Sequence, residues 1–249
     1  MDNTTECITY LLCLTSTEDF ASALSELNEK PLIAARAVHW IFPPTKLGVD
    51  KLSTSKWDMV VCFVAPFSMP ASLAPLIQSS WTFSFMAPSS FVASLETTRA
   101  ELATNVPARS RELDRLTDLD ANEDSNGHSF VDSAEMTGNL KRWMETFSER
   151  ENHPPVIMFN LLAFKDMEKY RKYQAAFMAG VGQRHGATPL LFGEVTAHSE
   201  QAKEWNDTAF VYYPSVLHFA DMLASPDYQE MSHKYRQGSL IDNPLLCLV

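Results

Sequence analysis

The sequence predicts an α+β protein: two βαββαβ repeats that close into one intrachain α/β barrel, with a helical insert between them. Three observations carry this expectation. The last third of the chain rewrites the first third. Lys56-Trp57-Asp58 leads into an apolar run at 59–64 and then Pro66, while Glu204-Trp205-Asn206-Asp207 leads into a run at 208–213 and then Pro214. Upstream apolar runs at 7–15 and 156–164 keep nearly the same offset, and two copies of one unit imply a folded-back pair. Each copy also alternates strand-like and helix-like segments in the same order. Finally, a four-stranded sheet with both helices on one face must bury its other face, and a second such sheet supplies the cover.

The elements follow in order. Residues 7–15 read as a strand of apolar and β-tolerant types. Ser16-Thr17-Glu18-Asp19 opens a helix with Phe20, Leu24 and Leu27 on one face, and Pro31 ends it. A second strand at 33–42 stops at Pro43-Pro44, and 59–64 is the third. A helical region is expected from about 69 to 80, weakened by Pro70 and Pro75, with a short fourth strand at 91–95. In the second copy, 156–164 is a strand. Asp166 starts a helix with Tyr170, Tyr173, Phe177 and Val181 on one face and Gly186 just past its end. Strands at 190–196 and 208–213 and a helix at 215–223 come next. Ser225-Pro226 restarts a helix as N-cap and N1, running to about Gln237, and 245–249 closes the sheet. This βαββαβ order is the ferredoxin-like unit.

The expected organisation is an N-terminal repeat at 1–95, an insert at 96–153 and a C-terminal repeat at 154–249. The insert reads as helical over 96–116 apart from Pro107, then acidic and turn-rich over 118–127. Asp132-Ser133-Ala134-Glu135 is a capping-box pattern, followed by Met136, Leu140, Trp143, Met144 and Phe147 at helical spacing. That apolar face implies an insert packed against the barrel.

Composition bounds the function. The chain has 249 residues, a formal net charge of −11 and no local basic patch, which argues against a nucleic-acid partner. Mean hydropathy is −0.15 and no apolar stretch reaches spanning length, so no membrane partner is expected. The N-terminus lacks the basic start of a signal peptide. Cys7, Cys13, Cys62 and Cys247 lie in apolar runs and read as buried free thiols, which together with that N-terminus points to the cytoplasm. No metal-ligand spacing and no glycine-based cofactor motif occurs, so neither metal nor cofactor is expected. Asn122-x-Asp124-x-Asn126-Gly127 starts like a calcium loop, but Ser133 stands where a bidentate Glu is required.

Some of the text resembles a known family. Trp205-x-Asp207, Tyr213-Pro214-Ser215, Phe219 and Ser225-Pro226-x-Tyr228-Gln229 resemble the small dimeric α/β-barrel family DUF1330. The strand at 156–164, the Tyr-rich helix after it and Gly186 fit the same family. The N-terminal copy keeps Trp57-Asp58, the strand and a proline but lacks the Ser-Pro-x-Tyr helix start. The whole chain resembles tandem fungal members of this superfamily. The resemblance implies cofactor-free cyclases, decarboxylases, isomerases or monooxygenases of polyketides and aromatic compounds, a range within which fold alone does not choose.

Several polar residues stand out as candidates. His218 and Asp221 lie three apart on a helix, placed either as an oriented general base or as a polar surface pair. His233 and Arg236 share another helix face, suited to an acidic or enolate oxygen or to solvent, while Tyr228 lies on an apolar stripe. Asn160 and Glu194 interrupt apolar strands, and Tyr212 lies in a third. If their faces look into the barrel the three converge; an edge position would leave Glu194 exposed. His39 occupies the strand of the first copy that matches the strand of Glu194 in the second, as a catalyst or as a hydrogen-bonded core residue. Trp57 and Trp205 read as packing anchors.

The leading expectation is a cofactor-independent enzyme, lyase- or isomerase-like, acting on a small oxygenated apolar substrate by cyclisation, isomerisation, dehydration or decarboxylation. His39, Glu194, His218 or His233 would be the base, and Asn160, Tyr212, Asp221, Tyr228 and Arg236 would bind substrate. A cofactorless monooxygenase and a non-catalytic small-molecule-binding protein are the alternatives, as a monomer or homodimer.

Overall fold

The computed structural model describes residues 3–53, 55–116 and 137–249. Its strands are β1 (Thr4–Leu14), β2 (Ile33–Phe42), β3 (Met59–Val64), β4 (Ile77–Pro88), β5 (Val156–Phe164), β6 (Thr188–Val195), β7 (Asp207–Tyr213), β8 (Leu240–Asp242) and β9 (Leu245–Leu248). Eight of these close into an antiparallel barrel in the order β7-β6-β4-β1-β3-β2-β9-β5 and back to β7, with β8 attached to β5 outside the ring. The helices are α1 (Thr17–Ser25), α2 (Val49–Leu52), α3 (Ser89–Thr104), α4 (Gly138–Arg150), α5 (Met167–Ala176), α6 (Gly182–Arg184), α7 (Val216–Ala224) and α8 (Pro226–Met231). π-helical turns at Phe177–Val181 and Ser232–Arg236 follow α5 and α8.

The two halves contribute four ring strands each, in matching order: β4-β1-β3-β2 and β9-β5-β7-β6. They join through β2–β9 and β4–β6, so each half offers its second strand to the other's fourth. The repeated Trp-Asp/Asn text has a physical cause. Asp58 accepts from the Leu14 amide at 2.8 Å while its own amide donates to Leu12 O. Asn206 accepts from the Phe164 amide at 2.8 Å while its amide donates to Leu162 O. Each half thus clasps the end of its first strand in the same way, beside a buried tryptophan, and Trp57 Nε1 donates to Leu52 O.

The barrel interior is solid. Phe83, Phe85, Phe159 and Phe210 meet at its centre, with Phe159–Phe210 ring centroids 4.9 Å apart. An eight-stranded barrel is just wide enough for side chains to fill.

The helix expected over 96–116 ends at Thr104, with only a 3₁₀ turn at Leu113–Arg115 beyond it, and two more expected elements are corrected. The region from 69 to 80 is no helix: only a 3₁₀ turn at Ala74–Leu76 forms, and β4 begins at Ile77. Pro70 and Pro75 remove backbone donors that a helix needs. Trp81, Phe83 and Phe85 then alternate inward at the strand period, and all three are buried. The expected strand at 91–95 is instead inside α3, which starts at Ser89 and crosses position 95. In the insert, α4 forms as expected. Thr137 Oγ1 accepts from the Leu140 amide, and Leu140, Met144 and Phe147 are buried. The capping-box pattern at 132–135 and the calcium-like run at 122–127 lie outside the described residues.

Candidate functional site

A cavity of about 300 Å³ opens in the C-terminal half, outside the barrel, between the sheet and its helices. Its floor is the outer face of β5 and β7, where Met158, Asn160, Leu162, Ala209, Val211 and Tyr213 point away from the barrel centre. The opposite wall comes from α5 and the π turn after it, through Tyr170, Tyr173, Gln174 and Phe177. Phe219, Met222 and Leu223 of α7 close one side. Phe91 and Phe192, edge to face at 4.8 Å, stand near Pro189 at another.

The polar groups converge. Arg236, carried on the second π turn and only 3% exposed, donates from Nη2 to Asn243 Oδ1 at 2.9 Å. Asn243 is itself held by Nδ2 donation to Leu161 O at 2.8 Å. Tyr170, Tyr173 and Tyr228 belong to the same cluster. Burial pushes the Tyr170 and Tyr173 phenols well above the usual range, and the charge of Arg236 offsets part of this. The phenols therefore stay protonated near neutral pH and can donate hydrogen bonds. Asn160, half-buried, donates to Met158 O at 3.0 Å. Among the described residues the charged lining is Arg236 and Arg171, the latter half exposed and paired with Asp207 at 2.9 Å.

Gly182 makes room for the cavity wall: a Cβ there would meet the Phe177 ring at 2.5 Å. Both π turns border the cavity, and such extra-residue turns recur at functional sites.

Of the residues singled out from sequence, the cavity gathers Asn160, Tyr228 and Arg236. The expected convergence of Asn160, Glu194 and Tyr212 inside the barrel is corrected. On β5 the inward parity belongs to Phe159 and Leu161, so Asn160 faces the helices. Tyr212 does face inward, half-buried against the barrel interior, where burial raises its hydroxyl pKa. Glu194 is exposed near the end of β6, opposite Asp207 and Met86.

His218 and Asp221 do not form a dyad. His218 is buried and bonded at both nitrogens: Nε2 donates to Pro107 O at 3.0 Å, and Nδ1 meets Ser215 Oγ at 2.9 Å. Burial lowers its pKa and keeps it neutral. Asp221 is fully buried and takes the Arg109 guanidinium at 2.9 and 3.0 Å, plus the amides of Arg111 and Leu113. Both residues pin the strap at 107–113 onto α7. His233 is exposed. His39 is exposed on β2, its ring stacked on Trp143 of α4 at 4.3 Å.

The sequence places Tyr170 and Tyr173 on one helix face without marking them as site residues, and nothing in it marks Asn243. The available signal was two tyrosines on a helix face that leucine would fill more simply, because a buried hydroxyl must find a partner.

Fold and site together define an antiparallel eight-stranded barrel protein with a sheet–helix cavity in one half. Residues 156–246, which hold nearly all of that cavity, match a family described as Domain of unknown function (DUF1330). Among solved structures, the chain is similar to the RPA0582 protein of unknown function from Rhodopseudomonas palustris. Identity is 27%, over 42% of this chain and 90% of that one, with a TM-score of 0.35. The methylated form of RPA0582 matches at 26% identity, over 42% and 88% of the two chains, with a TM-score of 0.33. No curated protein matches the chain. No described helix is long and apolar enough to cross a membrane.

Proposed function

We propose that the C-terminal half binds a small, largely apolar molecule with one oxygen-bearing pole. In the same reading, the two halves are diverged copies of one ferredoxin-like unit, and the second carries the pocket. The observation that carries the binding reading is the cavity itself, mostly apolar, with phenols, amides and a guanidinium gathered together. That is the usual form of a small-molecule site, and its volume sits at the lower end of the range of about 300–1,000 Å³. The shared strand order and the repeated clasp support the duplication.

The test is calorimetry of the full chain with a panel of aromatic and aliphatic carbonyl compounds, acids and alcohols. Saturable binding is expected. It should vanish in the triple variant Asn160→Tyr, Ala209→Val, Val211→Phe, which gives the cavity floor the side chains of the N-terminal half. Binding that survives in this variant places the site elsewhere and sinks the proposal.

A second reading, a cofactor-independent enzyme, is favoured by the donor cluster of Tyr173, Tyr228 and Arg236, which suits an enolate oxygen. The four expected bases all lie off the cavity, so proton abstraction by them loses its support. Decarboxylation of a β-keto acid needs no base. The C–C bond breaks, CO₂ leaves, the electron pair becomes an enolate held by the donors, and a phenol or water returns the proton. Substrates recovered unchanged, with no CO₂ released, exclude this reading and leave the binding one intact.

A further inference from the structure

We infer that the ligand of this cavity is elongated and has two parts: an apolar body held in the cavity, and a hydroxyl- or amide-bearing arm that passes Phe91 and Pro189 and lies in a wedge between α3 and β6. The inference rests on the reading that the cavity holds a ligand, and it adds the ligand's length and the chemistry of its far end.

Three features point to it. The first is that the strand ring opens beside the cavity. At Gly193, β6 approaches β4 so closely that a Cβ would run into Met86 O. Among the described residues the two strands pair only at Phe85–Val195 and Met86–Glu194. Beyond that point β4 ends at Pro88, the Ser89 amide donates to Asn3 O, and α3 takes the strand's place beside β6. Paired strands lie about 4.8 Å apart, whereas a helix with its side chains is about 10–12 Å across, so the exchange opens a wedge. Its volume is about 230 Å³. The second feature is that Phe91 and Pro189 line both the wedge and the cavity, so the two spaces adjoin there.

The third is that the wedge differs from the cavity in chemistry. Ser90, Ser94 and Thr98 recur every fourth residue on α3 and so share one face, and Thr188 lines the wedge from β6. Ser94 Oγ donates to Phe91 O at 3.5 Å, a bond long enough for a ligand to displace. Hydroxyls both donate and accept, which suits alcohol and amide groups. A ligand whose apolar body fills the cavity thus meets a polar channel at this end.

The experiment titrates the full chain calorimetrically with three probes that share one body: 2-methoxynaphthalene, 2-hexyloxynaphthalene and 6-(2-naphthyloxy)hexane-1,2-diol. The first has no arm, the second an apolar arm, and the third an arm of the same length ending in two hydroxyls. The diol is expected to bind at least about ten-fold tighter than 2-methoxynaphthalene and about five-fold tighter than the hexyl ether. Ser94 is exposed, so Ser94→Trp fills the wedge from the helix surface. It should bring the diol to within about two-fold of 2-methoxynaphthalene, whose own binding stays in place. Thr98→Val combined with Thr188→Val removes two hydroxyls and should bring the diol to within about two-fold of the hexyl ether. Circular dichroism and melting confirm that each variant is folded. A diol that binds no tighter than 2-methoxynaphthalene overturns the arm and leaves binding in the cavity intact. A hexyl ether that matches the diol overturns the arm's polar character. A diol advantage that survives in Ser94→Trp places the arm outside the wedge and overturns the inference. Failure of all three probes to bind also overturns it; the binding proposal itself stands or falls on its wider panel and the triple variant.

Discussion

In the N-terminal half, Tyr10, Val61 and Phe63 look outward from β1 and β3 toward α1; at the equivalent positions of the C-terminal half, Asn160, Ala209 and Val211 look outward from β5 and β7 toward α5. The strand registers make the comparison position by position. Ile8 faces Phe63 and Tyr10 faces Val61, as Met158 faces Val211 and Asn160 faces Ala209. In the first half the space is solid. Phe63 stacks on Phe67 at 3.6 Å, Tyr10 donates to Phe67 O at 3.0 Å, and Phe20, Leu24 and Leu73 fill what remains. In the second half it is hollow. Two differences produce this. The floor residues are smaller in the second half. The N-terminal half also has, in place of a second long helix, a proline-bearing turn that lets Phe67 and Leu73 collapse onto the sheet, whereas α7 and α8 hold the C-terminal roof away. Two sets of four strands in matching order thus carry one packed layer and one hollow layer.

The largest effect that tests this comparison comes from opening the packed half. Phe63→Ala should cost about 4 kcal/mol in denaturant unfolding, since it empties a filled site. Val211→Ala at the equivalent position already borders a cavity and should cost under about 1 kcal/mol. Equal losses would break the distinction between packed and hollow halves.

Next in size is Asp221→Ala. The C-terminal half leans on the strap at 107–113, and removing this carboxylate strands Arg109 and the amides of Arg111 and Leu113. A loss of about 3 kcal/mol is expected, read by chemical denaturation, with protease cutting near 107–113 exposed first. A loss below about 1 kcal/mol would show the strap to be incidental.

The clasps should give about 1 kcal/mol each. Asp58→Ala and Asn206→Ala each remove one acceptor from a strand-end amide. Similar losses sharpen the equivalence of the halves, and a several-fold difference breaks it.

The smallest effect is read against pH. His218 and His185, both on the C-terminal side, have pKa values lowered first of all by burial. The unfolded chain therefore takes up more protons as pH falls below the ordinary histidine value of about 6.5, so stability is full above that value and drains away beneath it. His218→Gln, which keeps a donor for Pro107 O, should flatten part of the decline in melting temperature between pH 7.5 and 5.5. An unchanged slope would acquit His218.

Much of the strand scaffold was legible because strand formation is a local pattern of period two, and the Trp-Asp/Asn repeat announced the symmetry. The helix expected at 69–80 does not form because Pro70 and Pro75 each lack the backbone donor a helix needs. Asn160, Tyr228 and Arg236 were legible as odd residues, being polar or charged among apolar neighbours. Their meeting place was not, since parity tells which residues share a face and says nothing about which face turns inward. His218 and Asp221 were legible as a pair on one helix face, yet each has its bond to a segment more than a hundred residues upstream, which no local spacing reveals.

By itself the sequence determined most of the strand positions and the apolar alternation within them, because those depend on short-range periodicity and on burying one face of each sheet. The tertiary structure alone decided that the barrel is filled and that the cavity lies outside it. That outcome depends on summed side-chain volumes across strands distant in the chain, Phe83 and Phe85 against Phe159 and Phe210 within, and Asn160, Ala209 and Val211 under a raised helix layer without. Packing is a property of neighbours in space, and only the closed ring makes them neighbours.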